Sequence, residues 1–306
     1  MKKKIQLLAI LTAISLILSA CGGDSNESEA AASKEPLVVS GKNWTEQYIL
    51  SEVLAVYIEE TTDYEVDLQD GLGEVAILTP ALENAEIDMY VEYTGTGLEA
   101  VLKEQADPGE SSESILERVR NGYEENYQAT WLEPLGFENN YTLAYSADAD
   151  FEAETYSDIA AVSKDLSFGA PHAFYEREGD GYDAFSEAYE LEFPKTESFD
   201  PNVMYQALKR GDVDVIPAFT TDGRIQRDNI QTTTDDLGFF PKYDAAIVIR
   251  QEILENYPDL EEALNGLAGK ISEEEMQQMN ARVDIDGEQA EVVAREFLAE
   301  KGLINE

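Results

Sequence analysis

The chain has 306 residues, of which 64 are acidic and 21 basic, giving a net charge of -43 beside a 43% hydrophobic content. Such a charge repels nucleic acid and anionic lipid headgroups, so neither is expected as a partner. The apolar content, arranged with regular periodicity, excludes an acidic disordered chain.

The N-terminus sets the compartment. Lys2, Lys3 and Lys4 precede an apolar run from Ile5 to Leu18, broken only by Gln6, Thr12 and Ser15. This run is shorter than the ~20 residues of a bilayer span and has the length of a signal-peptide apolar region. It ends in Leu18-Ser19-Ala20-Cys21, which looks like a bacterial lipobox with Cys21 as the lipidated mature N-terminus. Residues 1–20 are thus expected as a lipoprotein signal. Cys21 is the only cysteine, so the mature chain is left without a disulfide or a cysteine-based metal site or nucleophile. Residues 21–36, rich in Gly, Ser, Ala and Glu, read as a flexible tether. The remaining length, about 270 residues, exceeds what one hydrophobic core usually serves and predicts two domains. No later segment is apolar for long enough to span a bilayer. The expectation is a monomeric extracytoplasmic body tethered to a membrane. Its acid is spread through every segment, which points to a high-salt habitat where screening shortens self-repulsion to a few Å.

From Leu37 the pattern alternates strand and helix. Leu37 to Ser40 reads as a strand, and Asn43 with Glu46 resembles a capping box for a helix over Thr45 to Glu60. The intervening turn places Lys42 and free backbone N–H groups at a helix N-terminus, which suits an anion. Tyr64 to Leu68 and Ile87 to Val91 are strand candidates flanking a helix over Val75 to Asn84. Ile115 to Tyr127 reads as a helix. Leu143 to Tyr145, Leu166 to Ala170, Val213 to Phe219 and Ala245 to Ile249 read as strands, with a helix over Val203 to Arg210. The remainder is largely helical, over Leu260 to Ala268, Glu273 to Val283 and Glu288 to Lys301. Alternation of this kind predicts an α/β fold with parallel sheets.

An internal echo sharpens the picture. The stretch Ala81 to Gly97 parallels Ala207 to Gly223: a helix end, a tight turn, a strand with an internal aspartate, Asp88 or Asp214, then an aromatic and a glycine. Tyr93 and Phe219 fall at the same register, at the C-terminal ends of their strands, where ligands bind in open α/β sheets. Two similar domains facing each other would bring these rings together.

Catalytic signals are weak. His172 is the only histidine, and the chain contains no GxSxG, HExxH or phosphate-cradling glycine loop. With 64 acids, paired carboxylates carry little information. No enzyme, cofactor or metal site is expected. Aromatics are more telling: 16 tyrosines, among them Tyr93, Tyr141 and Tyr243, with Phe219. A quaternary ammonium donates no hydrogen bond but is drawn to ring faces, at ~0.5–2 kcal/mol per ring when desolvated. A carboxylate on such a ligand would need a cation, and Arg177 or Lys42 can supply it.

The motifs Gly41-Lys42-Asn43-Trp44-Thr45-Glu46-Gln47-Tyr48-Ile49-Leu50, Glu92-Tyr93-Thr94-Gly95-Thr96, Asn140-Tyr141 and Arg177 with Asp180-Gly181-Tyr182 come in order along the chain. Tyr205-Gln206-Ala207-Leu208, Thr221-Asp222-Gly223 and Phe239-Phe240-Pro241-Lys242-Tyr243 follow them. Together they resemble the osmoprotectant-binding proteins of ABC importers for glycine betaine, carnitine and choline, over residues 37–304. The resemblance implies a two-lobed type 2 periplasmic-binding-protein fold, with two parallel-rich mixed sheets and a cleft between lobes. It implies a first lobe of residues 37–140 and 243–306 and a second of 141–242. It further implies a ring cage of Tyr93, Tyr141, Phe219 and Tyr243, carboxylate contacts from Lys42, Thr96 and Arg177, and a permease with its ATPase as partner. Phe219 stands where relatives carry a cage tyrosine, and Ala173 where they often carry an acid. Cation binding is expected to survive both changes, because the ring face is kept. A choline-only or other organic-cation binder, a sensory binding domain and a carboxylate-based surface hydrolase are the alternatives.

Overall fold

The computed structural model describes residues 35–305 apart from Pro108 and Glu178. Cys21, the apolar run before it and most of the tether lie outside the described residues. Among the described residues, ten strands divide between two five-stranded sheets. The first contains β1 (Leu37–Ser40), β2 (Val66–Gln69), β3 (Met89–Tyr93), β4 (Ala129–Trp131) and β10 (Ala245–Arg250), ordered β2-β1-β3-β10-β4. The second contains β5 (Tyr141–Ser146), β6 (Ser167–Pro171), β7 (Lys195–Phe199), β8 (Val215–Phe219) and β9 (Ile230–Thr232), ordered β7-β6-β8-β5-β9.

The two sheets share one plan. In each, three strands pair in parallel through strand–helix–strand connections. Two more strands then pair antiparallel. The strands that turn each sheet mixed are β5 and β10. Each arrives from the other sheet and enters against the direction of the strand it meets. Alternation along the sequence could not show this, because it reports local pattern and not the side from which a strand arrives.

Each sheet is covered by apolar residues on both faces, as a largely crossover-built sheet requires. On one face of the first lie Ile49, Leu50, Val53 and Leu54 of α1 (Thr45–Thr61), with Val293, Phe297 and Leu298 of the Ala290–Glu300 helix. On the other, Leu78 and Leu82 of α2 (Val75–Glu83) pack with Ile115, Val119 and Tyr123 around Tyr90 and Trp131. The second sheet buries Phe168, Phe174 and Phe185 on one side and Met204, Leu208 and Ile216 on the other. No helix among the described residues is long and apolar enough to cross a membrane.

The expected capping box at α1 does not form. Trp44 is the residue preceding the helix and makes no side-chain cap bond. Glu46 turns inward and is buried. The same spacing that suits a surface cap also places Glu46 on the inner face of the first turn, and burial decides between the two.

The sequence echo is a structural repeat. Asp88 and Asp214 each precede the third strand of their sheet, β3 and β8. Asp88 accepts a hydrogen bond from the Val38 backbone N–H at 2.8 Å, and Asp214 accepts one from the Ser167 backbone N–H at 2.7 Å. The turn before each aspartate contains one residue in the left-handed region: Ala85 at φ 59 and Gly211 at φ 72. Only glycine adopts that conformation without a Cβ penalty. Ala85→Gly is therefore expected to stabilise the fold by roughly 0.5–1 kcal/mol, and Gly211→Ala to destabilise it by about 1 kcal/mol, as read by urea unfolding. A loss of stability in Ala85→Gly would exclude this account of the turn.

Candidate functional site

The repeat delivers two aromatic rings to one place. Tyr93 ends β3 and Phe219 ends β8. They do not stack on each other. The Trp44 ring stands between them, 5.9 Å from Tyr93 and 6.2 Å from Phe219. Tyr141 opens β5 directly opposite Phe219 in the antiparallel register, with ring centroids 4.9 Å apart. Tyr243 follows at 6.1 Å in an edge-to-face arrangement, and Phe240 stacks on Tyr141 at 4.7 Å. The rings of Tyr93, Trp44, Phe219, Tyr141 and Tyr243 thus form one continuous series drawn from both sheets and from the segment that returns to the first. Phe219 is the most open of them, at 39% exposure.

Small residues make room for this series. A Cβ on Gly95 would lie 2.8 Å from the Tyr243 ring and 2.9 Å from the Lys242 carbonyl oxygen. The neighbouring Thr94 hydroxyl donates to that same carbonyl at 2.9 Å and accepts from the Asp244 N–H at 3.0 Å. The Glu92-Tyr93-Thr94-Gly95 stretch therefore fixes both a ring and the segment that carries another ring.

The charged residues come in pairs. Lys42 Nζ lies 2.6 Å from Glu92 Oε1, both side chains buried, and 5.0 Å from the centre of the Tyr93 ring. Burial pushes the Glu92 carboxyl up from its ordinary value, and Lys42 opposes that rise. Arg177 Nε donates to Asp180 Oδ1 at 2.9 Å, and its Nη2 donates to the other Asp180 oxygen. Arg177 Nη1 donates to the Tyr141 hydroxyl at 2.7 Å, and the Tyr243 hydroxyl donates to Asp180 at 3.4 Å. Burial pushes the Tyr141 hydroxyl up to about 12 against the pull of Arg177. Both cations expected to face a ligand carboxylate are thus matched by carboxylates of the chain itself.

Beneath the rings lies Glu46. The Tyr93 hydroxyl donates to Glu46 Oε1 at 2.5 Å. Asn139 Nδ2 donates to the same oxygen at 2.8 Å, and Asn280 Nδ2 donates to Glu46 Oε2 at 2.9 Å. Burial pushes this carboxyl up, opposed by hydrogen bonds from Thr221, Tyr93, Asn280 and Asn139.

Of the expected site residues, Tyr93, Tyr141, Phe219 and Tyr243 join the ring series, Lys42 lies against Tyr93, and Arg177 lies against Tyr141. Thr96 closes the one-turn Thr94–Thr96 helix, half-buried, and makes no side-chain hydrogen bond among the described residues. His172 is exposed, 3.2 Å from Glu176. Sequence reasoning missed Trp44, Asp180, Glu92 and Glu46. Each was visible inside a motif, but nothing in one sequence separates these acids from the other 60-odd, and Trp44 carried no signal of its own within its motif.

A family model described as the substrate binding domain of ABC-type glycine betaine transport system matches residues 35–300. The chain belongs to this family. It is 37% identical over 305 residues to the carnitine transport binding protein OpuCC of Listeria monocytogenes, covering 97% of each chain. The glycine-betaine-binding protein of Pseudomonas aeruginosa is 30% identical over 90% of this chain and 91% of its own length. A crystal structure titled glycine betaine/carnitine/choline ABC transporter matches with a TM-score of 0.80 at 32% identity, over 87% of this chain and 99% of that one. The architecture is therefore the two-lobed type 2 periplasmic-binding fold. Family membership makes the chain an extracytoplasmic substrate-binding component of an ABC transport system and not an enzyme.

The close approach at Gly95 generates a direct test. Gly95→Ala is expected to cost roughly 1–3 kcal/mol by overpacking, and to displace the Tyr243 ring. Thermal unfolding and the Tyr243 ring position in a crystal structure of the variant check both parts. An undisturbed ring would show that Gly95 does not set it.

Proposed function

We propose that the chain captures a small quaternary-ammonium osmolyte, such as glycine betaine, carnitine or a choline-like cation, and delivers it to the permease. The observation that carries this reading is the ring series Tyr93, Trp44, Phe219, Tyr141 and Tyr243, assembled from both sheets in a member of a glycine betaine transport family. Several rings brought together and largely withdrawn from water suit a cation that has no hydrogen-bond donors. In this reading Tyr93, Tyr141, Phe219 and Tyr243 form the cage with Trp44, while Arg177, Lys42 and Thr96 meet a carboxylate. Contacts shared between lobes would favour the closed state on binding.

A second reading, a cation without a carboxylate, is favoured by one observation. Lys42 and Arg177 are already paired with Glu92 and Asp180. A ligand carboxylate would have to share Arg177 with Asp180.

The lobe boundaries fall under the same proposal: residues 37–140 with 243–306 in one lobe, and 141–242 in the other. The membership of β1–β4 and β10 in one sheet and β5–β9 in the other supports them. The proposal also includes a signal over residues 1–20, a lipid anchor on Cys21, a tether to residue 36, a monomeric body and a saline habitat. These rest on the N-terminal motif and the charge. Cys21→Ser is expected to release the protein into the medium, and its retention at the membrane would exclude the anchor.

The ligand is tested by calorimetric titration of the delipidated mature chain with glycine betaine, carnitine and choline in high salt. Phe219→Ala is expected to weaken binding by about 2- to 30-fold, the worth of one ring. Arg177→Ala is expected to weaken the two zwitterions and spare choline. If choline alone binds, the second reading holds. If a demonstrably folded chain binds none of the three, the osmolyte assignment fails.

A further inference from the structure

Glu46 is the one buried carboxylate near the rings that has no basic partner among the described residues. All its partners are neutral donors, and they come from four separate parts of the chain. Tyr93 lies at the end of β3, Asn139 in the segment that first crosses to the second sheet, and Asn280 on the Glu273–Asp284 helix. Thr221 lies in the loop that follows β8 in the second sheet. The two amides turn their nitrogens to Glu46 although this leaves Asn139 Oδ1 and Asn280 Oδ1 buried without a hydrogen-bond partner. That orientation is the one an acceptor-only carboxylate imposes.

The parts so joined are locked to one another in other ways. The Thr220 N–H donates to the Asn140 carbonyl at 2.9 Å, and the Asn139 N–H donates to the Tyr243 carbonyl at 3.0 Å. Asn280 Nδ2 also donates to the Thr221 carbonyl at 2.9 Å. Gly223 packs against the Glu273–Asp284 helix so tightly that a Cβ would lie 2.4 Å from the Ala281 nitrogen. The loop after β8 is therefore seated on a helix of the first sheet, with Glu46 at the centre of the seat.

We propose that Glu46 is a positioning residue that ties the Tyr93 ring, the crossing at Asn139 and the loop at Thr221 into one unit, so that the ring and that loop are set together. The inference rests on the reading of Tyr93 as a cage ring only for its consequence on ligand affinity; the tie itself is independent of it.

The test uses Glu46→Gln in the mature chain, an amide of similar size placed where donors converge. In the ligand-free protein, amide exchange at Asn139, Thr220 and Tyr243 should accelerate by about tenfold or more, with the α1 core from Ile49 to Ile58 unchanged. Unaltered exchange at all three positions overturns the tie. With glycine betaine and choline as probes, both affinities should fall by one common factor of about tenfold. A fall for one probe alone would place Glu46 in contact with the ligand and overturn the positioning role. Tyr93→Phe keeps the ring and deletes the donor, so it should reproduce the loss, and combining it with Glu46→Gln should add little. Fully additive losses overturn the coupling. If Glu46→Gln does not fold, Tyr93→Phe and Asn280→Ala carry the same exchange measurement. If the parent chain binds neither probe, the ligand reading fails while exchange still decides the tie.

Discussion

Charge taken out of water has to be matched where it lies, and the geometry of this ring series follows from three such matches. A carboxylate stripped of water and left alone is costly enough to change its protonation or its surroundings. Here Glu92 meets Lys42, Asp180 meets Arg177, and Glu46 gathers hydroxyl and amide donors. Each match also holds an aromatic ring. Lys42 lies over Tyr93, Arg177 binds the Tyr141 hydroxyl, Asp180 accepts from Tyr243, and Glu46 accepts from Tyr93. The polar framework thus orients ring faces that carry no charge of their own. This division of labour suits a cationic guest. In the proposed reading, ring faces attract it without adding to the large negative charge of the chain, and Lys42 and Arg177 are already paired with carboxylates.

Much of this was legible beforehand, for definite reasons. Tyr93 and Phe219 could be located because a helix–turn–strand unit repeats with its aspartate and its aromatic in register. Strand-end position then follows from the strand itself. The long helices and central strands were legible because burial imposes a period on them. The edge strands were not, β2 apart. β4 and β9 have three residues each, and β7 carries Lys195 and Glu197 with no buried residue, so neither length nor alternation marks them.

The candidate site was legible in its rings and cations but not in its counter-charges. Lys42 and Arg177 are scarce residues in this composition and stand out. Glu92 and Asp180 are two among 64 acids, and only their burial distinguishes them. Glu46 shows the limit most clearly. Its spacing from Asn43 fits a helix cap on the surface, yet the side chain lies inside, among groups up to 234 positions away in sequence. A local pattern cannot report a partner that distant. Trp44 escaped for the same reason, since its ring gains meaning only when Phe219 arrives from the other sheet.

The paired aspartates before β3 and β8 have a mechanical consequence. Each pins its strand to the neighbouring one at the end away from the rings, Asp88 through Val38 and Asp214 through Ser167. With that end clamped and both faces packed, each sheet behaves as a stiff plate that holds its terminal ring at constant angle. The two straps between the plates, at Glu138 to Asn140 and Pro241 to Asp244, are bonded to each other, the Asn139 N–H donating to the Tyr243 carbonyl at 3.0 Å, so they join the plates as one paired tie and not as two loose segments.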